Sequence, residues 1–198
     1  LLESRGLGDV YKRQVHGTHR IMATLERHSY KKVDGEWQIT KTMSLTYEKV
    51  PYSLSCLSQC LVKLKECLTP DLLTPKYREE NESNPMYGHC YHTTQAMYYL
   101  LDTDTLDIMS AIDWRGDKHW WLRDRETNDD IDMTVDQYYY IGKQPPHEDG
   151  KISKWYGWKQ RPHGRTLKLI KRIQPLAICQ TIHLSLIHIS EPTRLQQI

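Results

Sequence analysis

The stretch Asn84–Tyr139 opens with NPMYGHCYHTTQAMYYLL, continues through KHWWLRD at residues 118–124 and closes with IDMTVDQYY at residues 131–139, and it carries the strongest signals for fold class. Asn84-Pro85 followed by Gly88 marks a turn. The segment from His89 or Cys90 onward places Ala96, Met97, Leu100 and Leu101 on one helical face. Three short strand-like runs follow, Asp107–Trp114, Lys118–Leu122 and Asp130–Met133, separated by the turn residues Arg-Gly-Asp and Thr-Asn-Asp. A helix followed by three strands predicts an α+β domain in which helices pack on a small antiparallel sheet.

The same stretch carries the chemistry. A nucleophilic thiol is best placed at a helix N-terminus, where the dipole and free amides favour thiolate and can stabilise an oxyanion. Cys90 stands at such a start. A base must reach it from another element and a third group must orient the base. His119 on one strand and Asp132 on the next supply those roles, because opposed residues on antiparallel strands lie about 4.5–5.5 Å apart. Asn84 and Gln137 are candidates for an oxyanion or orienting contact. Read blandly, Cys90 is a small buried residue, His119 a satisfied histidine beneath two tryptophans and Asp132 a cap before Thr134.

These words resemble the YunG-like family of bacterial and phage proteins, through Asn84-Pro85, Gly88-His89-Cys90, His119-Trp120-Trp121, Asp132-Met133-Thr134 and Gln137-Tyr138. The order G-x-C, H-W, D-x-T is also similar to the core of transglutaminase-like and other papain-like Cys-His-Asp folds. The resemblance covers roughly residues 55–173. It implies a papain-like fold with Cys90 as nucleophile, His119 as base and Asp132 as orienter, acting as a cysteine hydrolase or acyltransferase. The linker from Cys90 to His119 is shorter than such enzymes usually show, which leaves a degenerate, non-catalytic version open.

A zinc reading competes, since His89, Cys90, His92 and His119 are ligand types. Cys90, however, turns about 100° away from His89 on a helix, so no metal or other cofactor is expected.

Outward from this core, Ser53 caps a predicted helix with Leu54, Leu57, Leu61, Leu64 and Leu68 as its apolar stripe. Cys56, Cys60 and Cys67 lie on or beside the stripe, too widely spaced for paired zinc thiolates, and read as small core residues. Towards the C-terminus, Arg165–Arg172 forms a short basic helix with Leu167, Ile170 and Ile173 inward. The segment Lys151–Arg172 holds eight Lys or Arg and no acid, with Trp155, Tyr156 and Trp158 interleaved. Basic groups draw phosphates and aromatic faces stack bases. This segment is therefore a candidate nucleic-acid or partner-binding surface, and the basis of a non-enzymatic alternative. It is equally a candidate lip of the Cys90 site, with Trp120, Lys154, Trp155, Trp158 and Arg161 holding a small-molecule or peptide substrate that carries phosphate. The bland reading is a solvated helix face beside a tryptophan-anchored loop.

Residues 15–50 alternate about Asp34-Gly35, the strongest short hairpin signal. Their DG-x-W turn resembles the closing strands of SnoaL-like domains, and a neighbouring gene fused by a frameshift is the other reading. The ends have a different origin. Asp9–Gln14 (DVYKRQ), written GAT GTG TAT AAG AGA CAG, has a reverse complement that reads LSLIHI, which is Leu184–Ile189. Residues 1–14 and 184–198 are accordingly read as translated sequencing adapter around a metagenomic fragment, and residues 52–175 as the papain-like domain.

Composition sets the outer bounds. The 198 residues are 38% hydrophobic and 26% charged with net charge +2, enough for one core. No run approaches the roughly 18 apolar residues of a membrane span, and no signal-peptide order opens the chain, so a cytoplasmic location is expected. Five cysteines in this length do not form the dense even framework of a small extracellular scaffold.

Overall fold

A computed structural model describes residues 11–12, 21–156 and 161–174. Its architecture is mixed helix and sheet. The hairpin forms where Asp34-Gly35 allows it: β2 (Ile21–Val33) and β3 (Glu36–Glu48) pair antiparallel, with φ of 47° and 87° at the two turn residues. Both angles lie in the left-handed region that the tight hairpin turn needs. A two-residue strand, β1 (Tyr11–Lys12), borders β2. The hairpin tip carries exposed Trp37 and Ile39, whereas its base enters the core through Ala23 and Tyr47. Tyr47 Oη donates to the Tyr99 carbonyl at 3.0 Å, and the Gln174 side chain bonds both main-chain groups of Glu48.

The chain then leaves through β4 (Val50–Pro51) into α1 (Leu54–Cys67), whose cap is the expected one: Ser53 Oγ accepts from Cys56 N. The buried stripe of α1 is Cys56, Cys60, Leu64 and Cys67, while Leu54 is 85% exposed. The cysteines, not the leucine series as a whole, form the inward row, because the packing face is rotated from the one that the leucines suggest. Two 3₁₀ turns and α2 (Arg78–Ser83) lead to α3 (Cys90–Leu100). Ala96, Met97 and Leu100 on α3 are fully buried against α1 and against α5 (Gly164–Ile173), which contributes Leu169, Ile170 and Ile173.

After α3 the chain forms β5 (Leu101–Asp102), parallel to β4, and then the main sheet. That sheet runs β8 (Asp130–Ile131), β7 (Lys118–Asp124), β6 (Leu106–Ile112), β9 (Lys151–Ile152), all antiparallel. Helix α3 lies on this sheet, tied by the Thr94 hydroxyl to the Trp120 carbonyl at 2.9 Å. A short α4 (Asp136–Tyr139) follows β8. Among the described residues, no helix is long and apolar enough to cross a membrane.

Candidate active site

Cys90 is set by the turn before it. Gly88 has φ of 80°, and a Cβ there would lie 2.7 Å from Tyr77 Cβ, so both conformation and space require glycine. The Asn81 amide donates to the carbonyls of Pro85 at 2.9 Å and Tyr87 at 3.0 Å, pinning the loop. Cys90 then becomes the first residue of α3, buried beside Trp120 and Trp155. Its thiol donates to the Lys118 carbonyl at 3.9 Å, which brings it to the residue before His119.

His119 is positioned by β7, opposite Ala111, and is 2% exposed. Its Nε2 lies 2.6 Å from Asp132 Oδ2. The strand register alone does not make this pair. Leu122 pairs with Ile131, which by continuation would set Asp132 against Trp121 rather than His119. The chain leaves strand geometry after Ile131, and Asp132 Oδ1 accepts from Thr134 N at 2.9 Å and from Thr134 Oγ1 at 3.0 Å. That side-chain turn swings the other carboxylate oxygen back to the imidazole.

A residue not anticipated from sequence completes the cluster. His147 Nε2 lies 3.1 Å from the same Asp132 Oδ2, and its ring packs on Trp121 at 4.8 Å. Trp121 in turn stacks on His119 and donates from its indole to Asp130, which also receives Arg123. His147 follows Pro145-Pro146 in a loop without periodicity; a histidine on a proline-stiffened loop was the one available hint.

The electrostatics follow from burial and pairing. Burial opposes the imidazolium of His119, but the charge and hydrogen bond of Asp132, with a smaller contribution from the nearby Cys90 sulfur, hold it up to about 10. Burial alone would raise the Asp132 carboxyl; His119 by charge and hydrogen bond, together with His147 and Thr134 N, holds it well below the usual carboxylate range. His119 is thus a proton holder near neutrality, with Nε2 committed to Asp132 and Nδ1 left for other contacts. Gln137 Nε2 lies 3.5 Å from that Nδ1 and donates to the Thr134 carbonyl at 3.0 Å.

Cys90, His119 and Gln137 line one cleft of about 290 Å³. Asn84 does not line it. Its amide donates to the Gln137 carbonyl at 2.8 Å, so it ties the turn before Cys90 to α4 and positions Gln137 instead of facing an oxyanion. The substrate lip read from residues 151–172 also needs correction. Trp155 is 4% exposed and stacks on Trp120, so neither ring is free to stack on a base, although Trp120 forms part of the cleft wall. Lys154 is exposed away from the cleft lining. Arg161 is directed to Tyr30 Oη at 3.0 Å. Trp158 lies outside the described residues. Tyr156, Lys118, His163 and Arg165 line the cleft in their place.

The zinc-type set named from sequence does not assemble. His92 Nδ1 is 3.1 Å from Thr166 Oγ1, and His89 is buried with neither ring nitrogen hydrogen-bonded, so that burial pushes it down to about 4. The one group of metal-type donors that converges among the described residues is His119, Asp132 and His147. Donor atoms around a tetrahedral zinc with bonds of about 2.0–2.1 Å stand roughly 3.3 Å apart. The His119 to Asp132 distance of 2.6 Å is instead that of a direct charge-assisted hydrogen bond.

No protein-family model, curated protein or solved structure matches the chain.

Proposed function

We propose that the protein is a cysteine hydrolase or acyltransferase that works through Cys90, His119 and Asp132, on a fold of the papain-like and transglutaminase-like type that the YunG-like motifs suggest. The observation that carries this reading is the buried His119–Asp132 pair at 2.6 Å, opening on the same cleft as a thiol at a helix N-terminus.

The chemistry follows the triad logic. His119 holds the proton of the Cys90 thiol as an imidazolium, which Asp132 stabilises. The Cys90 sulfur attacks a substrate carbonyl R–CO–X, and the Cys90 amide at the start of α3 faces the developing oxyanion. The C–X bond breaks as His119 returns the proton to X, leaving a thioester on Cys90. Water, or an acceptor amine or alcohol, attacks that thioester, gives a proton to His119 and releases the acyl product and the thiol. Gln137 and, through it, Asn84 hold the imidazole edge in place.

The test is acylation by p-nitrophenyl acetate, followed by mass mapping of the cysteine peptides. The reading expects a stoichiometric burst of p-nitrophenol with acetyl on Cys90, lost in His119→Ala. A wild-type protein that forms no Cys90 adduct contradicts it. The non-enzymatic alternative loses Trp155, which is buried, from its stacking surface and keeps exposed Tyr156. It would be revived by salt-dependent nucleic-acid binding that survives Cys90→Ala and weakens on neutralising Lys154, Arg161 and Arg165.

A further inference from the structure

The cleft beside Cys90 contains more positive charge than it uses. Of its acids, Asp117 is held by Lys76 at 3.0 Å and by the Tyr87 hydroxyl at 2.8 Å. Asp113 accepts from the main-chain amides of Arg115 at 2.9 Å and Asp117 at 3.0 Å, and from Tyr138 Oη at 3.4 Å. Asp117 and Lys76 neutralise each other, whereas Asp113 keeps its charge on neutral donors, so a single unpaired carboxylate faces the remaining cations of the cleft.

Two cations remain. Lys118, half-buried, is the residue whose carbonyl meets the Cys90 thiol, and its ammonium sits 4.3 Å above the Trp120 ring and 5.8 Å from that of Tyr156. Aromatic faces hold a cation in place without neutralising it. Arg165, at the start of α5, lines the same cleft next to His92 and His163, whose rings pack at 4.8 Å. Neither Lys118 nor Arg165 has a carboxylate partner among the described residues. Burial, together with the nearby Arg165 charge, pushes both His92 and His163 down, so that this wall adds neutral imidazoles rather than a competing anion.

Two cations against one carboxylate in a concave site leave net positive charge that an anionic ligand would meet. At about 290 Å³ the cleft is at the small end of ligand pockets, which run from about 300 to 1,000 Å³, and so suits a small molecule rather than a long polymer. We propose that Lys118 and Arg165 form an anion subsite, and that the acyl donor attacked by Cys90 is a small molecule bearing a carboxylate or phosphate group. This rests on Cys90 as the nucleophile, and the experiment is chosen to separate the two claims.

Iodoacetate and iodoacetamide are nearly the same size and differ in charge. Their rates of alkylation at Cys90 in the full chain, read from the Cys90 peptide by mass spectrometry, give a ratio in which thiol reactivity cancels. A unit charge about 7 Å away at the dielectric constant of water changes an encounter by about threefold. The iodoacetate to iodoacetamide ratio should therefore exceed that of free cysteine several-fold. It should drop by about threefold in each of Lys118→Gln and Arg165→Gln and approach the free-cysteine value in the double variant. Protection against iodoacetate by propionate or by inorganic phosphate then tells which head group the subsite takes.

A ratio equal to that of free cysteine, or unchanged in the double variant, overturns the subsite whatever the absolute rates. Slow labelling by both reagents with a charge-selective ratio upholds the subsite and overturns the nucleophile reading instead.

Discussion

Asp132→Asn removes one charge from the buried cluster while keeping its shape. In the wild-type protein the Asp132 charge and hydrogen bond overcome the burial that opposes protonation of His119 and hold it up to about 10. In the variant burial remains and the compensating charge is gone, so His119 should titrate below its ordinary 6.5. Breaking a buried ion pair by removing one partner costs about 3–5 kcal/mol. The loss should also depend on pH in a fixed sense. A histidine raised on folding contributes stability that is fully present below its unfolded value near 6.5 and is lost as pH rises through about 10. Asp132, held low, contributes stability that is present above its unfolded value of 3.8 and is lost as pH falls towards its folded value. Wild-type stability should therefore decline between about pH 6.5 and 10, and the variant should lose that slope. The assays are urea unfolding across pH and NMR titration of the His119 ring, read first in the wild-type protein so that a poorly folding variant does not decide the matter. A wild-type His119 that titrates near 6.5, or a variant destabilised by under about 1 kcal/mol, would contradict a charged His119–Asp132 pair.

Further outcomes follow from other contacts. His147→Ala takes a hydrogen-bond partner from Asp132 Oδ2 and leaves more of its charge to His119, so His119 should titrate higher still, measured by the same NMR titration; a downward move would contradict the placement of His147. Gly88→Ala meets Tyr77 at 2.7 Å and forces a side chain into φ of 80°, and should cost about 1–3 kcal/mol in urea unfolding together with slower labelling of Cys90. Leu64→Ala should cost about 2–5 kcal/mol, whereas Leu54→Ala, on the exposed side of the same helix, should stay within about 0.5 kcal/mol; equal losses would contradict the α1 face described above.

Much of the fold is legible locally. The Asp34-Gly35 turn, the Ser53 cap, the start of α3 at Cys90 and the three strands all arise from short-range chemistry that a sequence displays. What sequence does not display is rotation and return. Leucine and cysteine are both apolar, so the buried face of α1 was decided by packing against α3 and α5 and not by the leucine spacing. Trp155, in a basic segment, reads as a surface aromatic until Trp120 and Tyr91 are placed around it. The trio Cys90, His119 and Asp132 is nameable from order alone, yet its geometry depends on the Thr134 turn rather than on strand pairing. His147 reaches Asp132 from a loop fifteen residues downstream with no pattern to announce it.

The most direct test of the account is the rate of iodoacetamide alkylation at Cys90 as a function of pH, in the full chain and in His119→Ala. A free thiol, with a pKa of about 8.5, slows about tenfold for each pH step below neutrality. The proposed Cys90–His119 pair predicts faster labelling of Cys90 than of a free thiol below neutrality in the wild-type protein, and free-thiol behaviour or slower in the variant. Labelling with the same pH profile in both proteins would contradict it.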